Sequence, residues 1–174
     1  MRKVLYLMGV LQDSDLEWML QHGAARALEP GTVLIREQQA VDSLYFLLEG
    51  ELSVTVGDKF VARLLAGEIV GEISFVDSRP PSATVRAASA SYVLAIPCAE
   101  IRAKIAADPS FAARFYRSIA VFLADRLRVT TSRFGYGDAV QDTEQADEID
   151  PDVLDAVSLA AVRFEQMVKR LRTQ

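Results

Sequence analysis

Gly71-Glu72-Ile73-Ser74-Phe75-Val76-Asp77-Ser78-Arg79-Pro80-Pro81-Ser82-Ala83-Thr84-Val85-Arg86-Ala87 is the stretch on which the reading of this chain turns. It opens on Gly-Glu, runs through a short apolar turn, is broken by Pro80 and Pro81, and closes on a small, polar run that reads as a strand. Backbone N–H groups left free at the start of a one-turn helix, beside Ser and Thr hydroxyls on an adjoining strand, suit a small anion. The remainder of the chain reads as the frame that holds this segment.

Around it, from Arg26 to Ile96, short β runs alternate with turn residues at intervals of about ten, which predicts an antiparallel sandwich or barrel. Pro30-Gly31 reads as a type II turn, Glu49-Gly50-Glu51 lies between two apolar strands, and Gly57-Asp58 separates Leu52–Val56 from Phe60–Leu65. Gly31, Gly50 and Gly57 are expected to serve turns alone. The run Tyr45-Phe46-Leu47-Leu48 is dense enough to be buried on both faces.

Upstream, residues 1 to 22 read as helix in two pieces. The second starts near Asp13 or Ser14, with Ser14 and Glu17 as a capping box, Leu16, Met19 and Leu20 on one face, Trp18 on the same core, and His22 at the end before Gly23. Arg2-Lys3 ahead of Val4 to Leu11 imitates a signal peptide. The apolar run is short, however, and Asp13, Asp15 and Glu17 follow at once, so the export reading is set aside.

Downstream, Cys98 to Ala106 reads as a short helix, Asp108-Pro109 as a helix start, and about Ser110 to Phe134 as a long helix. Phe111, Phe115, Ile119, Phe122, Leu123, Leu127 and Val129 make a stripe wide enough to predict a homodimer through the 110–134 helix, the alternative being cover by the C-terminal tail. Cys98 at a first helical turn is either activated or, more commonly, buried and inert. Acids without Lys or Arg from Asp138 to Asp152 read as a solvated linker. Pro151 then opens an amphipathic helix burying Val153, Leu154, Val157, Leu159, Val162, Phe164, Val168 and Leu171.

The composition narrows the function. Of 174 residues, 51% are apolar and 25% charged, as in a soluble globular protein, and no segment reaches the ~20 apolar residues of a membrane span. A net charge of −5 disfavours nucleic acid partners. One Cys and one His exclude an internal disulfide, a His-rich metal site and a Ser-His-Asp arrangement. Carboxylate pairs such as Glu68 and Glu72 read as solvent-facing or capping. The chain is therefore expected to be cytoplasmic, to lack enzymatic activity and to need no cofactor or metal.

A short helical start, a β-barrel broken late by a Gly-Glu cassette and a long closing helix together resemble the cyclic-nucleotide-binding domain family, over roughly residues 10 to 134. The resemblance is to the sensor domain of Crp/Fnr-like regulators, and no helix-turn-helix is read in this sequence. Gly71, Glu72, Ile73 and Ser74 match the first half of the family cassette, and Ser82, Ala83, Thr84, Val85, Arg86 and Ala87 match the second. The resemblance implies an α+β fold: an antiparallel β-roll or jelly-roll barrel with short N-terminal helices, a long C-terminal helix and here a terminal tail helix. The organisation it implies is 1–134 as the binding domain (helices 1–22, β-roll 26–96, helices 98–134), 135–152 as acidic linker and 153–174 as terminal helix. The implied ligand is a cyclic nucleotide such as cAMP or cGMP. Glu72 would take the ribose 2′-hydroxyl, the amides of Gly71 to Ser74 and of Ala83 would face the phosphate, Ser82 would add a hydroxyl, and Thr130 and Thr131 would meet the purine.

One departure bears on all of this. Where the family places its phosphate-binding arginine, immediately before Ser82, this chain has Pro81, with neither guanidinium nor N–H. Arg79 is the candidate repair if residues 79 to 81 run extended, since side chains two apart then share a face; Arg86 is a second. The expectation is a regulatory domain sensing a cyclic nucleotide or related second messenger weakly or with altered specificity. The alternative is a ligand-independent dimerisation or protein-interaction module on the same fold.

Overall fold

The run Ser43–Glu49 (β3) is the spine of the molecule, buried at its first six positions. In the computed structural model, which describes residues 10–135 and 151–172, its alternate side chains serve two cores, as a strand's two-residue period requires. Leu44, Phe46 and Leu48 face the helices, while Tyr45 and Leu47 face a second sheet. Ser91–Pro97 (β8) repeats the division, with Leu94 and Ile96 towards the helices and Val93 and Ala95 inward.

Two four-stranded antiparallel sheets result. One runs Ala24–Leu28 (β1), β8, β3, Ile69–Val70 (β6); the other runs Val33–Ile35 (β2), Thr84–Ala87 (β7), Glu51–Val56 (β4), Lys59–Leu65 (β5). This is the α+β antiparallel roll expected, and the turns are those expected too. Thr32 N–H donates to Glu29 O at 3.0 Å across Pro30-Gly31, and Gly31 stands at φ +88°. Gly50 does more than turn: a Cβ there would lie 2.4 Å from Ser91 Oγ and 2.5 Å from Ala90 O.

The helices are Asp13–His22 (α1), Glu72–Asp77 (α2), Cys98–Ala107 (α3), Pro109–Gly135 (α4) and Pro151–Arg172 (α5). The Ser14–Glu17 capping box is not the one formed. Gln12 is the cap residue and Asp15 accepts from its backbone N–H at 2.9 Å, because the helix begins two residues earlier than a Ser14 cap would set it. Asp108 caps α4 through the Phe111 amide at 2.9 Å, with Pro109 in the first helical position. Cys98 is buried, and burial pushes its thiol pKa up, against activation.

The stripe on α4 divides. Phe111, Phe115, Ile119 and Phe122 are buried in the helix-side core, but Leu127 is 67% exposed. Val129 lies outside the residues whose side chains are described. On α5, Met167 and Leu171 enter the same core with Phe164 and Val168 against it. Val162, expected to be buried, is 52% exposed. Residues 1–9 and 136–150, which hold the first helical piece and nearly all of the acidic linker, lie outside the described residues, as do the side chains of 151–161.

Candidate functional site

Against the second sheet, with Val70 of β6 beside it, the roll opens into a cavity of about 460 Å³, within the range of small-molecule sites. Its floor is apolar, formed by Ile35, Val54, Leu64, Val70 and Val85. Its polar wall comes from the opening stretch. Gly71, Glu72, Ile73, Ser74, Arg79, Ser82 and Ala83 all line it, with Asp77, Pro80, Pro81 and, from α4, Arg126 and Thr130.

Gly71 makes the entry to α2. It sits at φ +93°, a region L side chains rarely adopt, and a Cβ would come within 3.0 Å of Ser43 O. The turn brings Glu72 inward to 2% exposure. At the far end Ser78 stands at φ +59° and Arg79 N–H donates to Asp77 Oδ1 at 2.9 Å, which sets Arg79 at the mouth. The Pro81 carbonyl accepts from Gln38 N–H at 2.8 Å, and Thr84 Oγ1 from Glu37 N–H at 3.1 Å, so the loop after β2 clamps the proline corner.

Arg126 closes the inner end. Its Nη1 donates to Glu72 Oε1 at 2.5 Å, its Nη2 lies 3.5 Å from Glu68 Oε2, and its guanidinium carbon sits 5.0 Å from the centre of the Phe122 ring. Burial raises the Glu72 pKa; the Arg126 charge opposes this, and the Glu68 charge adds to it. Glu68 and Glu72, read from sequence as solvent-facing or capping, instead share one arginine, and the expectation for that pair is corrected. Arg126 itself was missed as a wall residue. The available signal was its place four residues before Thr130, which puts both on one helix face; Thr130 Oγ1 donates to Arg126 O at 2.8 Å.

The remaining candidates separate. Thr131, about 100° further round the helix, is exposed and outside the wall. Arg86 is also outside it, its Nη1 donating to Gly31 O at 3.0 Å. Of the two wall arginines, Arg126 is committed to two carboxylates, whereas the exposed Arg79 side chain has no ion-pair partner among the described residues. Those residues hold no cluster of His, Cys, Asp or Glu arranged for a metal, and no helix long and apolar enough to cross a membrane.

Comparison with known proteins gives the arrangement a context. Residues 25–108 match the family model of the cyclic nucleotide-binding domain. The chain is 28% identical over 129 residues to the cAMP-activated global transcriptional regulator CRP of Escherichia coli, covering 71% of this chain and 60% of that protein. It is 32% identical over 92 residues to a cyclic nucleotide-gated potassium channel of Rhizobium etli, covering 50% of this chain and 26% of the channel. The matched region thus spans less than two thirds of either relative. In fold it resembles a cyclic nucleotide-binding domain from Methylobacillus flagellatus, with TM-score 0.69 and 19% identity over 79% of this chain and 85% of the other.

Proposed function

We propose that this chain, which belongs through residues 25–108 to the cyclic nucleotide-binding domain family, is a regulatory unit that takes a cyclic nucleotide or related second messenger in the roll cavity, weakly or with altered specificity. The binding unit is residues 1–134, with 135–152 as tether and 153–174 as terminal helix. Glu72 would accept the ribose hydroxyl at the inner end. The amides of Gly71 to Ser74 and Ala83, with Ser82, would line the phosphate, and Thr130 would face the base.

The observation that carries the reading is the charge inventory of the wall. With Pro81 in the cassette position and Arg126 held by Glu72 and Glu68, the cation left for an entering phosphate among the described residues is Arg79 at the mouth. An exposed guanidinium gains less from a phosphate than a buried one, because water screens the pair and ordering the side chain costs entropy. Weak binding follows. Calorimetric titration of the full chain with cAMP, cGMP and a cyclic dinucleotide should give heat at high micromolar to millimolar ligand, lost in Arg79→Ala. No heat and no thermal shift at millimolar concentrations of all three would sink the proposal.

A second reading draws on α4, where Leu127 and Tyr116 are exposed. An apolar face of the long helix left exposed among the described residues suits a second copy, making the chain a homodimer whether or not it holds a ligand. Sedimentation would then give a dimer that Leu127→Glu dissociates.

A further inference from the structure

We propose that α5 is an output element of the cavity, joined to it by a relay of ion pairs running from Glu72 through α4 and α1. The ligand-site reading supplies the trigger of this relay, while its links stand on geometry alone.

The first link is Glu72–Arg126, which ties the cassette to α4 at the inner end of the cavity. Arg114 lies on the same rigid helix, about 18 Å along its axis. It makes the second link, with Nε at 2.7 Å from Asp15 Oδ2 and Nη2 at 2.9 Å from Asp15 Oδ1. A two-pronged contact of this kind fixes orientation as well as distance, so α1 cannot stay still if α4 rotates. Asp15 is buried and also holds the Gln12 amide, which makes it part of the start of α1.

The third link passes to α5 from the residues flanking Asp15. Asp13 Oδ1 lies 2.7 Å from Arg163 Nε, Arg163 Nη1 donates to Leu11 O at 3.0 Å, and Glu17 pairs with Arg170. Further along, Arg172 pairs with Glu49, and Tyr92 donates its hydroxyl to Leu171 O at 3.1 Å. Only Met167 and Leu171 among the described side chains of α5 are fully buried. Over 162–172 the seat is therefore shallow, and its polar links are mostly solvent-exposed, each worth little alone. A small displacement of α1 is enough to shift the balance between seated and released α5.

A ligand hydroxyl that takes Glu72 Oε1 competes with Arg126 at the first link. Loss of that link leaves Arg126 tied by the longer Glu68 contact, lets α4 turn, carries Asp15 with it and loosens the Asp13 and Glu17 contacts. The device responds to occupancy of the cavity whatever the chemistry of the rest of the ligand.

Hydrogen exchange of the full-length chain, without ligand, tests the relay separately from the binding proposal. In Glu72→Gln the first link loses its charge at constant shape, and amides of 162–172 should exchange about 2- to 30-fold faster. Arg126→Lys, a milder change, should fall between Glu72→Gln and wild type, and Arg63→Ala, which removes the exposed Arg63–Glu51 pair outside the relay, should leave α5 unchanged. Two results would overturn the proposal: α5 exchange at the wild-type rate in Glu72→Gln, or an equal acceleration in β3 and β8, which would mark general loss of stability. Neither would touch the ligand reading, which the titrations decide.

Discussion

At the scale of single residues, Gly71 and Glu72 carry opposite burdens. Gly71 adopts a backbone conformation closed to L side chains and backs onto Ser43 O, so Gly71→Ala should destabilise the fold by about 1–3 kcal/mol, read from denaturant midpoints. Glu72 is a carboxylate taken out of water. Its folded pKa lies above the ordinary 4.5, so the folded state binds its proton more tightly than the unfolded chain does. The stability it contributes is full below pH 4.5 and is lost as pH rises through the raised folded value. Glu72→Gln should remove that downward slope from a plot of Tm against pH; an unaltered slope would contradict this assignment. The cassette from Gly71 to Ala87 was legible in the sequence because Gly-Glu and the Ser-Ala-Thr-Val run are local patterns. The commitment of Arg126 to Glu68 and Glu72 was not, since a contact across 54 residues leaves no local trace.

At the scale of elements, α1 and α4 are joined by the Asp15–Arg114 pair, whose behaviour with pH is the reverse of Glu72's. Burial pushes the Asp15 pKa up, but the Arg114 hydrogen bonds, the Gln12 amide and the Arg114 and Lys104 charges outweigh it and hold the group below 3.8. The pair therefore stabilises the fold above about pH 4 and ceases to do so as pH falls through the lowered folded pKa. Arg114→Met leaves Asp15 buried without its partner and should cost about 3 kcal/mol near neutral pH. The loss should shrink in acid; a constant difference across the acid range would rule the pairing out as its cause. Strand and helix positions were readable where period and punctuation agreed, as in the dense run of β3, the Pro30-Gly31 turn and the Asp108-Pro109 start of α4. They were misread where neighbouring polar residues offered rival caps, as with Ser14 against Gln12. Amphipathic pattern alone also could not tell that α5 would bury Met167 and leave Val162 in water.

At the scale of the whole molecule, the roll supplies a cavity with an apolar floor, a carboxylate held at its inner end and an exposed cation at its mouth. The short β runs punctuated by turn residues about every ten positions, with the family resemblance, are why the architecture could be foreseen. The state of the site could not, because it depends on where Arg79 and Arg126 lie in space. We propose that the cavity is a nucleotide site weakened by Pro81. Its most direct test is calorimetric titration of cAMP into the full chain and into Pro81→Arg. Restoring a guanidinium beside Ser82 should tighten binding about thirty-fold to several thousand-fold, matching about 2 to 5 kcal/mol for a desolvated charge pair. An affinity in Pro81→Arg no different from that of the unaltered chain would contradict the account.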